Sequence, residues 1–426
     1  MSVVVATATD PGRHGTFRSA LSHRPLRTYL LFHTVISVAQ PFGTVAIAEA
    51  LYRQSGSATW VAAAVAGRLV PHLLASAFAG AIADRVNRHR LLTVTAVAQA
   101  AVTAVLLVCV LTAAAPVVVV ALVTLASMCG TPCYPTVLSL VPGAVPPGDI
   151  APASSLMNGA ESAAWLIGPA LGGLALVFLP VGGVLALNVA LFAVGAAVLL
   201  TRGCEARASH AVPGEIGESM LRSMVTGAHV MFRTPDVAAP LLLVVAVNIV
   251  IGGSSVGMLL VADEILAAGE GGFGLLNAAL GVGGFLGFMF ANRLAAIGSP
   301  FAGLVVSTLL GGVPFALLSL TGEVWVAAVM VGIAGVGCVL TEVVALTVML
   351  RVLPPGVLAR AFGITDSLVV GSLLLGSLLA PALVALIGTS GSLLVVGAVI
   401  PAAAVLGGHH WRRLAVGPDR SAVQQQ

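Results

Sequence analysis

The sequence has no lysine, and only 8% of its 426 residues are charged, against about 25% in soluble domains. Hydrophobic residues make up 58% of the chain, so too few polar residues remain to cover a surface that faces water. The composition therefore excludes a string of soluble domains and predicts an integral membrane protein. The lack of lysine also excludes the glycine-rich phosphate loop that ends in lysine, so ATP is not the expected energy source.

Other features are scarce as well. The five cysteines lie mostly in apolar segments without paired spacing, which argues against a disulfide framework. Cys129 and Cys133 are four residues apart but have no further ligand nearby in sequence, so we expect packing residues and no metal or other cofactor. The basic residues form no stripe with interleaved aromatics, so no nucleic-acid partner is expected. Residues Met1 to Gly15 contain no apolar run typical of a cleaved signal peptide.

Long apolar runs are abundant. A helix needs about 20 mainly apolar residues to cross the hydrocarbon core of a bilayer. Twelve segments meet this condition, and we predict spans at Tyr29–Leu51, Ala58–Ala83, Leu91–Ala114, Val117–Val141, Ala153–Leu179, Val181–Leu200, Val237–Val261, Phe273–Asn292, Phe301–Leu320, Val324–Leu350, Ala361–Ile387 and Ser392–Leu406.

The arginines predict the orientation, because short loops rich in basic residues stay cytoplasmic. With the amino terminus inside, all but two of the 19 arginines fall in cytoplasmic segments. The exceptions are Arg53, in an outer loop, and Arg68, within a span. We therefore expect both termini in the cytoplasm and a location in the cell membrane, of the bacterial inner-membrane type.

The longest connector divides the chain into two halves. We predict a cytoplasmic tail at 1–28, a six-helix bundle at 29–201, a connector at 202–236, a second bundle at 237–407 and a cytoplasmic tail at 408–426. Between Met220 and Phe232 apolar residues recur at helical spacing, which predicts an interfacial helix in the connector.

The loop after span two contains Gly80, Asp84, Arg85, Arg88 and Arg90. This pattern resembles the loop signature of the major facilitator superfamily, although Asn87 stands where the family often has glycine. The resemblance implies an all-α fold of twelve transmembrane helices in two pseudo-symmetric six-helix bundles. It also implies that Asp84 belongs to a cytoplasmic gate that engages the start of span eleven, near Arg360.

Span five contains Gly168, Pro169, Gly172 and Gly173, which resembles the motif of exporter branches of that family. In that motif, proline and glycines let the helix pack closely against its partner in the other half. The stretch from Arg24 to Gly173 is similar to drug, macrolide and siderophore exporters, and this implies proton antiport. Span four lacks the intramembrane arginine that many proton antiporters carry, so their coupling mechanism does not transfer as a whole.

Charges within spans are costly and need a partner or a purpose. The candidates for proton coupling or substrate binding are Glu161, Glu342, Arg68, His72, Glu49 and Asp366. Glu161 is the first candidate for handling a proton or cation, and Glu342 is the second, as a substrate counter-ion. We expect Arg68 to pair with Glu49 or Glu161, either as a coupling pair or as a permanent structural one. Glu49 and Arg53 are also expected to form an exposed pair.

These features predict proton-linked export of a small amphiphilic compound by alternating access, through a mostly apolar cavity. The expected partners are the lipid bilayer, protons and the small-molecule substrate, and the protein is expected to be a monomer. An importer of a small metabolite is the second hypothesis. A non-transporting receptor stays open, and a membrane-embedded enzyme is disfavoured because no cluster of catalytic residues occurs.

Overall fold

The computed structural model describes residues 16–83, 87–202, 235–296, 300–352 and 358–415, and its regular elements in these ranges are all helical. The predicted interfacial helix from Met220 to Phe232 lies outside the described residues. The described α-helices are α1 (Phe17–Ala20), α2 (Arg24–Ser55), α3 (Ala58–Ala83), α4 (Arg88–Leu111), α5 (Pro116–Gly130), α6 (Cys133–Ala144), α7 (Ile150–Phe178), α8 (Val181–Arg202), α9 (Pro235–Leu260), α10 (Gly269–Ala296), α11 (Pro300–Leu317), α12 (Val324–Val352) and α13 (Leu358–Ala415).

The helices account for the twelve predicted spans. The described residues include nine helical stretches that are long and apolar enough to cross a membrane. One of them, Ile364–Leu406, is divided by Gly388, whose φ of 73° is not helical, so it supplies two spans. Helices α3 and α11 supply the other two. The predicted fold class of twelve helices is confirmed.

Two spans differ locally from the prediction. The fourth span is two helices, α5 and α6, separated at Thr131 and Pro132. Proline has no backbone N–H to continue a helical ladder, which explains an interruption at this point. The seventh span continues past α9 into a π-helical turn at Val261–Ile265, which carries the acids Asp263 and Glu264. Such turns are rare and occur often at functional sites.

Apolar packing is different at the two ends of the molecule. We call the side on which α2 begins and α13 ends the terminus side, and the opposite one the far side. Toward the far side a single cluster of buried residues joins the two halves, with members such as Leu51 and Val61 from the first and Val256 and Phe273 from the second. Toward the terminus side the first half has its own core, around Phe32 and other residues of that half. The second half has two separate small clusters there.

The far side is also joined by a polar contact between the halves. The hydroxyl of Tyr52, at the end of α2, donates a hydrogen bond to Asp263 Oδ2 at 3.2 Å. Among the described residues, the shared apolar cluster and this hydrogen bond therefore join the two halves toward the far side.

Candidate substrate and proton site

Glu161 lies in the interior of α7, and its side chain is 24% exposed. The hydroxyl of Ser37 donates a hydrogen bond to its Oε2 atom. The indole Nε1 of Trp165, one turn further along α7, donates to Oε1 at 2.8 Å. The carboxylate is thus held between α2 and α7 while part of it stays accessible, which suits a group that exchanges a proton.

His33 is the titratable neighbour of this carboxylate. Its Nε2 atom lies 3.2 Å from Glu161 Oε2, and its side chain is only 4% exposed. The geometry of that contact is not a hydrogen bond, and Nε2 has no other hydrogen-bond partner among the described residues. The hydroxyl of Ser37 lies 3.3 Å from His33 Nδ1, so Ser37 contacts both titratable groups. A carboxylate and an imidazole therefore meet inside the membrane-spanning region.

An aromatic side chain of the broken fourth span completes the cluster. The ring of Tyr134 stacks on His33, with centroids 5.7 Å apart and an angle of 25° between the planes. The hydroxyl of Tyr134 donates to Asn158 Oδ1 at 2.5 Å. Asp366, in the second half, is exposed and lies within electrostatic range of Tyr134. The cluster thus faces an acid on the other half of the molecule.

Arg68 does not form the predicted pair with Glu49 or Glu161. Its Cζ atom lies 5.2 Å from the centroid of the Trp165 ring, which is a cation–π contact. No carboxylate among the described residues lies within ion-pairing distance of its guanidinium. The predicted partners are engaged elsewhere, because Trp165 and Ser37 hold Glu161.

Glu49 binds Arg53 one turn away, as predicted, but the pair is not exposed on both sides. The Glu49 side chain is 5% exposed and that of Arg53 is 40% exposed. Glu49 is buried because α2 turns this face toward the cluster that joins the two halves, next to Ala48 and Leu51. Glu49 therefore lies beside the apolar packing that joins the two halves at the far side.

The second half has an acid of its own in the interior. Glu342, on α12, lies close enough to the side-chain amide of Asn248, on α9, for the two groups to interact. Asn248 Nδ2 also lies 2.8 Å from the carbonyl oxygen of Val244. No described contact joins Glu342 to the cluster around Glu161. His72, one turn after Arg68 on α3, is half-buried.

Most of the predicted gate lies where side chains are not described. Asp84 and Arg85 are outside the described residues, and of Gly80 and Arg360 only the helical backbone is described. Asn87 caps α4, because its Oδ1 atom accepts a hydrogen bond from the backbone N–H of Arg90 at 3.1 Å. Arg88 donates to the carbonyl oxygen of Ser139 at 3.3 Å. The start of α4 is thus joined to α6, and the role of Asp84 stays a prediction.

The glycines of the span-five motif give α7 close contact with two helices. A Cβ atom at Gly168 would lie 2.4 Å from Pro41, and one at Gly172 would lie 2.2 Å from the carbonyl oxygen of Phe42, both on α2. Gly173 faces α10 of the other half, where a Cβ would lie 2.4 Å from the carbonyl oxygen of Gly274. Small residues allow such approach between membrane helices. Pro169 lies between these contacts, within α7.

Several residues of the candidate site were not identified from the sequence. No role in transport was predicted from the sequence for His33, Ser37, Trp165, Tyr134 or Asn158. A signal was present, since His33 and Ser37 are four residues apart on α2 and share a helix face. Among the described residues, no group of three His, Cys, Asp or Glu side chains is arranged to hold a metal ion.

Twelve membrane helices in two halves, joined by apolar packing toward the far side and with polar groups in their interior, are the architecture of a secondary transporter. The chain belongs to the Major Facilitator Superfamily, whose family model matches residues 28–370. No curated protein sequence matches the chain significantly.

Solved transporter structures share the fold. The nucleoside transporter NupG has a TM-score of 0.70 at 12% identity, covering 91% of this chain and 98% of its own. A bacterial homolog of the human lysosomal transporter Spinster, in an inward-facing and unoccupied conformation, has a TM-score of 0.62 at 16% identity, with coverage of 91% and 98%. A POT family transporter in complex with a thioalcohol-conjugated peptide has a TM-score of 0.64 at 14% identity, with coverage of 90% and 95%. At sequence identities this low, the similarity shows only that the fold is shared.

Proposed function

We propose that this protein is a proton-coupled secondary transporter that exports a small amphiphilic or hydrophobic compound, such as a drug, a natural product or a siderophore. The observation that carries the proposal is the partly exposed Glu161 carboxylate, held by Ser37 and Trp165 beside His33. A charge at mid-bilayer costs ~2.5–3.5 kcal/mol even on lenient scales. A carboxylate kept there needs a purpose, and proton exchange supplies one.

The coupling follows from where Glu161 is placed. Protonation removes its negative charge and so weakens the charge-assisted hydrogen bond that it accepts from Ser37 on α2. Helix α7 carries this carboxylate and also packs against α10 of the other half through Gly173. A change in the hold of α2 on α7 therefore acts on the element that contacts both halves. Rocking of the halves around a central site is how this class of fold exposes the site to each side in turn.

Export is supported by the resemblance of the first half to drug, macrolide and siderophore exporters. With both termini in the cytoplasm of the cell, a conformation that opens between the halves at the terminus side would admit a substrate from inside. We further propose a monomer in the cell membrane, with the proton gradient as energy source, no cofactor and no enzymatic activity. Protons and the substrate would be its partners within the bilayer.

Import of a polar metabolite is the second candidate. Gln40 and Gln99 favour it, because their side-chain amides are neighbours beside Gly130. A Cβ atom built on Gly130 would lie 3.3 Å from the amide nitrogen of Gln40 and 2.2 Å from that of Gln99. Gln99 is 2% exposed and its Oε1 atom has no hydrogen-bond partner among the described residues. Such an amide pair would suit a substrate with hydroxyl or amide groups.

A transport assay in proteoliposomes tests the proposal. Compounds of the three exporter substrate types are screened for transport under an imposed pH gradient, with and without a proton uncoupler. We expect uncoupler-sensitive transport by the wild type, and its loss in Glu161→Gln. The control is Glu323→Gln, which removes an exposed acid in a far-side turn and should leave transport unchanged. Transport by Glu161→Gln that still follows the pH gradient would refute the coupling role.

A further inference from the structure

Arg68 is a cation inside the membrane-spanning region and has no anionic partner among the described residues. It lies in the interior of α3, and its guanidinium contacts the face of Trp165 with Cζ 5.2 Å from the ring centroid. No ion pair or side-chain hydrogen bond from this guanidinium to a described residue exists. Arginine stays protonated in proteins, so it cannot escape the cost of burial by losing its charge.

The carboxylates that could neutralise Arg68 are already engaged. Glu161 accepts hydrogen bonds from Ser37 and Trp165, and Glu49 binds Arg53. Trp165 holds Glu161 by its ring N–H and meets Arg68 with its ring face, so it keeps the two charges apart. The missing counter-ion has to come from outside the described side chains.

Trp165 also presents an exposed aromatic face beside Arg68. The two residues lie on α7 and α3, which both pack against α2. The Trp165 side chain is 41% exposed although its helix is in the membrane-spanning region. A large aromatic face next to a guanidinium presents an apolar surface and a planar set of N–H donors, which match an apolar group and a carboxylate.

We propose that Arg68 and Trp165 bind the carboxylate end of an amphiphilic organic anion, which is the transported compound. The inference rests on the proposed transport function and names its substrate class. The two oxygens of a carboxylate accept the paired N–H donors of Arg68, and the apolar part of the anion packs on Trp165. Export of an anion is favoured by a membrane potential that is negative inside, so the substrate class agrees with the proposed direction.

Binding to the purified full-length protein tests this. Equilibrium dialysis in detergent uses a panel of aryl and alkyl carboxylates, each matched with its carboxamide and with the amine of the same skeleton. We expect the wild type to bind carboxylates about tenfold or more tighter than the matched amides. Arg68→Gln should reduce that ratio to about one, and Arg68→Lys should retain part of it, because lysine keeps the charge but loses the planar fork.

The wild-type comparison needs no variant, so a misfolded Arg68→Gln does not block the test. Equal binding of carboxylate and amide by the wild type, or an undiminished preference in folded Arg68→Gln, overturns the proposal. Glu161→Gln separates the two hypotheses, since it should lose proton coupling and keep the carboxylate preference. Carboxylate binding without any transport would contradict the proposed function alone, whereas proton-driven transport that prefers amines or amides would contradict the anion site alone.

Discussion

The indole N–H of Trp165 donates to Glu161 Oε1 at 2.8 Å, while the face of the same ring lies 5.2 Å from Cζ of Arg68. One side chain thus stands between a carboxylate and a guanidinium that would otherwise attract each other. In the proposed mechanism, this arrangement keeps Glu161 available to a proton and Arg68 available to an anion. A direct ion pair would neutralise both charges and remove both roles.

Replacing Trp165 by phenylalanine tests its hydrogen bond to Glu161 separately from its aromatic contact with Arg68. Trp165→Phe keeps an aromatic ring near Arg68 and removes the N–H donor to Glu161. Loss of a hydrogen bond to a carboxylate should change the proton-coupled rate by about tenfold and shift its pH profile, with substrate binding retained. Transport rates across a pH series in proteoliposomes measure this. Trp325→Phe, at an exposed position on α12, is the control. Identical pH profiles for Trp165→Phe and the wild type would contradict the role of the N–H.

His33 should matter for the pH dependence more than His72. His33→Asn removes the imidazole that lies 3.2 Å from Glu161 Oε2, whereas His72→Asn removes a histidine with no described contact to that carboxylate. We expect the pH profile of transport to change its midpoint or slope in His33→Asn and to stay unchanged in His72→Asn. The reverse result would assign the titrating partner to α3 instead.

Packing at Gly172 should tolerate no side chain. A Cβ atom there would lie 2.2 Å from the carbonyl oxygen of Phe42, so Gly172→Ala forces α2 and α7 apart. We expect a loss of about 1–3 kcal/mol in stability, seen as a lower melting temperature in detergent. Gly159→Ala is the matched control in the same helix, because a Cβ at Gly159 meets nothing within 4 Å. Equal melting temperatures for the two variants would show that the contact is looser than described.

Tyr52 should help to keep the far side closed. Tyr52→Phe removes the hydroxyl that donates to Asp263 at 3.2 Å between the two halves. A hydrogen bond worth about 1 kcal/mol shifts a two-state population by about fivefold. Distance measurements between spin labels on the far-side ends of α2 and α9 should show a larger open population. The control is Thr112→Val, where the lost hydroxyl bonds only within its own helix. An unchanged distribution of spin-label distances in Tyr52→Phe would show that this hydrogen bond does not help to keep the far side closed.

The loop aspartate gives a prediction that comes from the family resemblance. Asp84→Asn should reduce transport at least about tenfold while the folded protein is still produced, because a gate acts on the motion of the halves and not on folding. Size-exclusion profiles and transport rates of the same preparation measure both. Glu323→Gln is again the control. Normal transport by Asp84→Asn would show that the loop charges serve only as a membrane anchor.

Composition and spacing were enough to predict the twelve membrane-spanning helices of this protein, whereas their arrangement in two bundles came from the family resemblance. A membrane helix has to satisfy its backbone hydrogen bonds within itself, so a run of apolar residues marks each span locally. Gly388 illustrates this for spans eleven and twelve. Its φ of 73° is not helical, so the two spans predicted from the sequence are separate helices in the structure.

The site was predictable only in part, because a side chain in the sequence carries no record of its neighbour on another helix. Glu161 stood out because an acid within a span is rare. The predicted pairing of Arg68 with Glu49 or Glu161 was wrong, because a choice of partner depends on distances between helices that span assignments do not contain.

The sequence by itself determined that this is a twelve-helix membrane protein and which few charges lie within its spans, since both follow from local hydrophobicity. Only the tertiary structure decided which of those charges meet. It placed Trp165 between Glu161 and Arg68 and His33 beside the carboxylate, because helices distant in the chain bring these side chains within a few ångströms of one another.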